Sequence, residues 1–303
     1  MTTILRPLST SELLDRTFHL YRNHFGLFVG IAAIPQIAVL ALQLAYVEHI
    51  IRMPQLGRWG PPLVILAVNF IAIEIAHAAI TIAVSKLNTD RPAEILSSYA
   101  EVKTSLPRVV WIAFVAFVLP LIISIPIALT GIGLMSVLII GIGETNPTAA
   151  VIVAIAFFIA IFSLPLRWWL RWALVVPVTV LEGGGLRASM RRSKSLTHDR
   201  RGRIFVIYLL IVILSWVVKA VCQSPFYIII GMRAFSHPWL VTQTARLIQV
   251  TGTFVSASLV GALLTIAITL IYYDERVRRE GLDLQLMVSA AESAQQDPLP
   301  FIA

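Results

Sequence analysis

Glu74 and His77 stand one helical turn apart inside Pro62–Leu87, an apolar stretch in which Lys86 is the only other charged residue. A carboxyl and an imidazole at that spacing could relay a proton or hold a polar substrate. Thr81, Ser85 and Asn88 continue the same face at steps of four, four and three. Glu74 comes 12 residues after Pro62, which places it about 18 Å along a helix and near the middle of a hydrocarbon core ~30 Å thick. An ionisable side chain there costs a few kcal/mol on insertion scales. The stripe therefore reads in one of two ways. It is a proton or substrate path, or it is a hydrogen-bonded pair that fastens helices together, with Gln36 and Gln43 of the preceding apolar stretch as partners.

Two further cationic groups bear on that choice. Arg167 and Arg171 lie one turn apart among Trp168, Trp169 and Trp172, the composition of an interfacial belt. Arg171 precedes Glu182 by 11 residues, about 16 Å of straight helix. Either the chain reaches the interface early, or Arg171 needs an anionic partner such as Glu74 or a lipid phosphate. Lys219 reads as a side chain that snorkels to the far surface, with no functional role. In the segment Glu182–Arg203, Leu186, Met190 and Ser193 alternate with Arg187, Arg191, Arg192 and Lys194. This pattern predicts a short basic helix whose cations touch anionic lipid headgroups. The Gly183-Gly184-Gly185 run is not a phosphate loop, because no Gly-Lys-Ser/Thr follows it and no strand precedes it.

The elements that must position these groups are membrane helices. Of the 303 residues, 58% are hydrophobic and 13% charged, with mean hydropathy +0.84, which excludes a water-soluble globular chain. Six stretches are long and apolar enough to cross a bilayer: Gly26–Val47, Pro62–Leu87, Val109–Gly143, Thr148–Leu181, Ile204–Gly231 and Thr242–Tyr273. The third is too long for one straight crossing, and Pro120 and Pro126 predict a kink or a re-entrant part. Six crossings put 17 of the 24 Lys and Arg residues on one side; only Arg52, Arg58, Arg233 and Arg246 fall on the other. Both termini are then expected in the cytoplasm.

The first 24 residues lack the apolar core and cleavage site of a signal peptide. Ser9 and Glu12 have capping-box spacing, and Leu14, Phe18, Tyr21 and Phe25 follow at helical steps. An amphipathic helix along the interface is expected over 1–24. The expected organisation is all-α: that helix, a six-helix transmembrane domain over 25–273, and a charged helix end with a disordered tail over 274–303. Gly281 is placed to cap the last helix. Thr253, Ala257, Gly261, Thr265 and Thr269 repeat every fourth position and predict close helix packing, with a homodimer as the alternative use.

Enzymatic chemistry has no visible carrier. The histidines His19, His24, His49, His77, His198 and His237 are scattered, no His-Glu-x-x-His occurs, and Cys222 is the only cysteine. No metal, cofactor or nucleic acid is expected, the net charge of +8 being mostly a topology signal.

Three segments together carry a resemblance. Arg6-Pro7-Leu8-Ser9 through Tyr21-Arg22, Arg171 and Pro177 through Glu182-Gly183 with Arg192-Ser193-Lys194-Ser195-Leu196-Thr197, and Tyr272-Tyr273-Asp274-Glu275-Arg276 with Arg279-Glu280-Gly281-Leu282-Asp283-Leu284 resemble bacterial polytopic proteins named for the membrane domain of glycerophosphoryl diester phosphodiesterases. The resemblance runs from about residue 6 to residue 287. It implies a six-helix membrane domain of unknown molecular role and no site residues. The phosphodiesterase activity belongs to a separate catalytic barrel in some relatives, for which six spans leave no room here. The expectation is a non-catalytic protein that organises or stabilises a partner membrane protein. The competing expectation is a secondary carrier or lipid-handling protein with a midplane site at Glu74, His77, Thr81 and Arg171.

Overall fold

The computed structural model describes residues 7–52, 60–143, 146–234 and 238–281. Among the described residues all regular structure is helical: α1 (Thr10–Asn23), α2 (Phe25–Arg52), α3 (Gly60–Asn88), α4 (Ile95–Val102), α5 (Leu106–Gly143), α6 (Pro147–Arg171), α7 (Val175–Glu182), α8 (Leu186–Thr197), α9 (Arg201–Ala234) and α10 (Pro238–Glu280). Five of them contain stretches long and apolar enough to cross a membrane: Phe25–Tyr46, Pro62–Asn88, Leu106–Val137, Arg201–Pro225 and Leu247–Glu280. Their exposed side chains are large and apolar, Leu63, Trp216 and Val221 among them. That is the surface a chain presents to lipid rather than to water. The expected tail after Met287 lies outside the described residues.

The chain forms two compact units. One comprises Met1–Leu106 and Gly202–Ala303, the other Pro107–Arg201. In the first unit α2, α3 and α10 pack closely, while α9 lies more loosely on them. Phe28, Ile31, Ile80, Val84, Ile266 and Tyr272 fill the core. Glycine lets α4 seat on α2: a Cβ on Gly30 would stand 2.5 Å from Ile95 Cδ1, and one residue on, the Tyr99 hydroxyl donates to the Ile31 carbonyl.

The caps follow the local chemistry. The Ser9 hydroxyl accepts the Glu12 N–H at 3.2 Å and the Glu12 carboxylate accepts the Ser9 N–H at 2.7 Å, a complete capping box. Leu13 and Thr17 of α1 are buried. The helix meets α10 at both ends, Leu8 at Asp274 and Tyr21 at Leu259. Those sites are 15 residues apart on α10, about 22 Å along its axis. At the other terminus Gly281 adopts φ 58° and its N–H bonds to the Val277 carbonyl at 3.1 Å, the left-handed cap that glycine allows.

In the second unit α5 is one continuous helix through Pro120 and Pro126. The Thr130 hydroxyl donates to the Pro126 carbonyl at 2.9 Å and Ser124 to Leu121 at 3.3 Å, back-bonds to the preceding turn of the same helix. The stretch Thr148–Leu181 is not one helix. It breaks at Trp172–Leu174, where Trp172 N–H bonds to Trp169 and Val175 N–H to Trp172 in tight three-residue turns. Ser193 of α8 closes the break, donating to the Arg171 carbonyl at 3.0 Å and accepting the Leu174 N–H at 3.3 Å. Ile112, Ala116 and Val175 form the core beside it, with Trp172, Val176, Leu186 and Met190 packed around.

Candidate functional site: a polar cavity among apolar helices

The α3 stripe is real as geometry, and most of it is used for packing. Thr81 donates to the His77 carbonyl at 2.8 Å and its hydroxyl stands 3.4 Å from that of Thr269. Tyr273 donates to Ser85 at 2.8 Å, and Arg16 to Asn88 Oδ1 at 2.6 Å. From Thr81 outward to Asn88 the stripe therefore binds α3 to α10 and α1. Burial lowers the Arg16 guanidinium from its ordinary value.

Glu74 and His77 behave differently. Glu74 is buried, its Oε2 stands 3.7 Å from His77 Nδ1, and that oxygen has no hydrogen-bond partner. Tyr208 of α9 lies within electrostatic reach of the same carboxyl. His77 faces a cavity of about 350 Å³, within the range of small-molecule pockets. Four helices of the first unit supply its polar groups: Gln36 and Gln43 from α2, Asn69 and His77 from α3, Ser215 and Lys219 from α9, and Thr253 from α10. Val39, Leu40, Ile73, Phe254 and Leu264 supply much of the apolar wall. Gln36 and Gln43 were expected near the Glu74–His77 pair, and both come to this cavity.

Lys219, whose sequence reading is a side chain that snorkels, borders the cavity as well. The buried face of α9 runs Ile204, Ile207, Ile211 and then changes to Ser215 and Lys219 at steps of four. Gln223, the next step, donates to Ser256 Oγ at 3.1 Å. A polar run at i, i+4, i+8 in an apolar helix is the sequence signal for this side of the cavity, which Lys219, itself an exposed residue, borders. The small-residue stripe of α10 divides at the same level. Thr265 and Thr269 are buried in helix packing, whereas Thr253, Ala257 and Gly261 border the cavity.

Arg171 belongs to the second unit. The α6 helix ends at this residue, so the straight run to Glu182 that would bury it deeply does not exist. Its carbonyl accepts from Ser193 and Thr197, and its Nε is buried without a partner. Near the start of α8, Arg187, Arg191 and Arg192 line a shallow second cavity of about 610 Å³ with Gly184, Ser189 and Ser195. Arg192 is held there by Glu182 at 3.0 Å. Lys194 is exposed and is not part of that wall.

Among the described residues no group of three or more His, Cys, Asp or Glu side chains could hold a metal ion. The class that the helices define is a helical architecture able to cross a membrane several times, with a polar cavity among the described helices of its first unit. No family model matches the chain, and neither does any curated protein or solved structure.

Proposed function

We propose that this chain is a non-enzymatic protein of the bacterial inner membrane that binds a small polar or amphiphilic molecule within the bilayer, as a secondary carrier or lipid-handling protein. The carrying observation is the cavity of about 350 Å³ with Lys219, His77, Asn69 and two glutamines on its wall. Packing alone does not require these groups, since an apolar wall would cost less than buried polar groups in hydrocarbon. Membrane carriers place substrate sites between helices near mid-bilayer, and the cavity residues of α3 and α10 fall in the middle part of apolar stretches long enough to cross.

Six crossings with both termini in the cytoplasm complete the reading. Five helices qualify by length and hydropathy. The sixth crossing is α6, whose 25 residues measure about 37 Å. An even count keeps the basic segment Arg187–Arg203 and both chain ends on the positive side, and there Arg187, Arg191 and Arg192 contact anionic headgroups. The resemblance to phosphodiesterase membrane domains agrees with this architecture and adds no activity.

Native mass spectrometry of the gently solubilised protein tests the reading against the organising role. The wild type is expected to retain one enriched small molecule, and Ala257→Leu, which fills the cavity, is expected to lose it. Equal retention by both proteins, or a stoichiometric protein partner with no small molecule, would replace the carrier reading with that of an organiser of membrane proteins.

A further inference from the structure

Resting on this ligand-binding reading, we infer that the ligand's head is an oxyanion, a carboxylate or phosphate carried by an amphiphile, with Lys219 as its counter-charge. Lys219 follows Arg201 by 18 residues on α9, about 27 Å of helix. Its ammonium is a compact, strongly hydrated charge that is costly to hold among apolar helices without an anion. Among the described residues no carboxylate lines the cavity and none pairs with Lys219. The nearest acid in sequence on α3, Glu74, is turned to His77 and is not part of the wall.

The remaining polar groups suit the same head. Gln36, Gln43 and Asn69 carry amide N–H donors, and Ser215 carries a hydroxyl. Around an ammonium they complete a donor set for oxygen atoms bearing negative charge. A cationic head would instead meet Lys219 with no carboxylate on the wall to offset it. Leu40, Ile73, Phe254 and Leu264 line the rest of the space, a surface that accepts an acyl chain. α9 is fixed to α10 on either side of this site, by Arg203 to Asp274 and by Gln223 to Ser256. These two contacts keep the Ser215 and Lys219 stretch of α9 alongside the cavity.

The test is a native mass-spectrometric titration of the detergent-purified full chain with phosphatidylglycerol, oleate, phosphatidylcholine and inorganic phosphate. Wild type, Lys219→Gln, Lys219→Arg and Ala257→Leu are compared, each checked for monodispersity. Wild type and Lys219→Arg are expected to prefer phosphatidylglycerol or oleate to phosphatidylcholine by about tenfold, the effect of one charge-assisted contact. Lys219→Gln is expected to lose that preference while phosphatidylcholine binding is unchanged. Because Lys219 is exposed to the cavity, its replacement by Gln leaves the packing intact. A preference that survives in Lys219→Gln overturns the oxyanion inference and leaves the binding reading standing. Binding that survives in Ala257→Leu overturns the binding reading itself. Lys219-dependent binding of inorganic phosphate as tight as that of the lipids would overturn the amphiphile and make the ligand a free anion.

Discussion

Asp274 of α10 holds Leu8 across 266 positions of chain: its Oδ1 accepts the Leu8 N–H at 2.7 Å. Arg203 and Arg278 complete the joint, each donating both to Asp274 Oδ2 and to the Leu8 carbonyl. Asp274 is 3% exposed, so its charge depends on these partners. The joint ties the start of α1, the start of α9 and the end of α10 together at one end of the first unit.

Asp274→Ala should destabilise that end by about 3 kcal/mol, the usual cost of removing one partner from a buried ion pair. Limited proteolysis should then cut within residues 1–24 faster than in wild type, with a lower thermal midpoint in detergent. Unchanged cleavage would mean that α1 is held by its apolar contacts at Leu13 and Phe28 alone.

Alkaline pH should loosen the same helix. Burial, with a smaller contribution from Cys222, pushes the Tyr21 phenol up from 10.0 to about 12, and the phenol donates to the Leu259 carbonyl. The folded state holds the proton more tightly than the unfolded one, so stability is flat below pH 10 and falls between pH 10 and about 12. Tyr21→Phe should flatten part of that fall in thermal scans across the window. An equal fall in the variant would assign it elsewhere, for instance to Tyr99, whose phenol burial also raises.

Much of this architecture is legible in the residues, and the exceptions have physical causes. The capping box at Ser9, the glycine cap at Gly281 and the apolar helices all depend on neighbours within one or two turns. The break at Trp172–Leu174 does not. Those residues are apolar and include no Gly or Pro; the turn is fixed by Ser193, 19 residues after Leu174. The cavity is hidden for a similar reason, because its polar groups come from four helices and one stripe alone gives half the picture. Of the α3 stripe His77 alone reaches the wall, and the α9 side is formed by Ser215 and Lys219, whose meeting with α3 no local pattern encodes.

The pair Glu74 and His77 should matter for exchange more than for folding. Glu74→Gln is expected to insert normally and keep its stability within about 1 kcal/mol of wild type, while exchange of bound ligand between proteoliposomes slows because Glu74 no longer faces His77 on the cavity wall. Exchange at the wild-type rate would mean that Glu74 does not act on the cavity through His77.

Topology gives an independent check. In a Cys222→Ser background, single cysteines from Arg58→Cys and Arg233→Cys should react with a membrane-impermeant thiol reagent outside intact cells, and Arg192→Cys should not. Labelling at position 192 would contradict six crossings.

The most direct measurement places a diazirine analogue of leucine at Leu40, on the cavity wall, and crosslinks it in native membranes, with Leu63, 65% exposed, as the lipid-facing control. The account predicts an adduct with the mass of one small molecule at Leu40 that is distinct from the mixed bulk lipids captured at Leu63. A polypeptide adduct at Leu40, or the same lipids at both positions, would contradict a ligand-binding cavity.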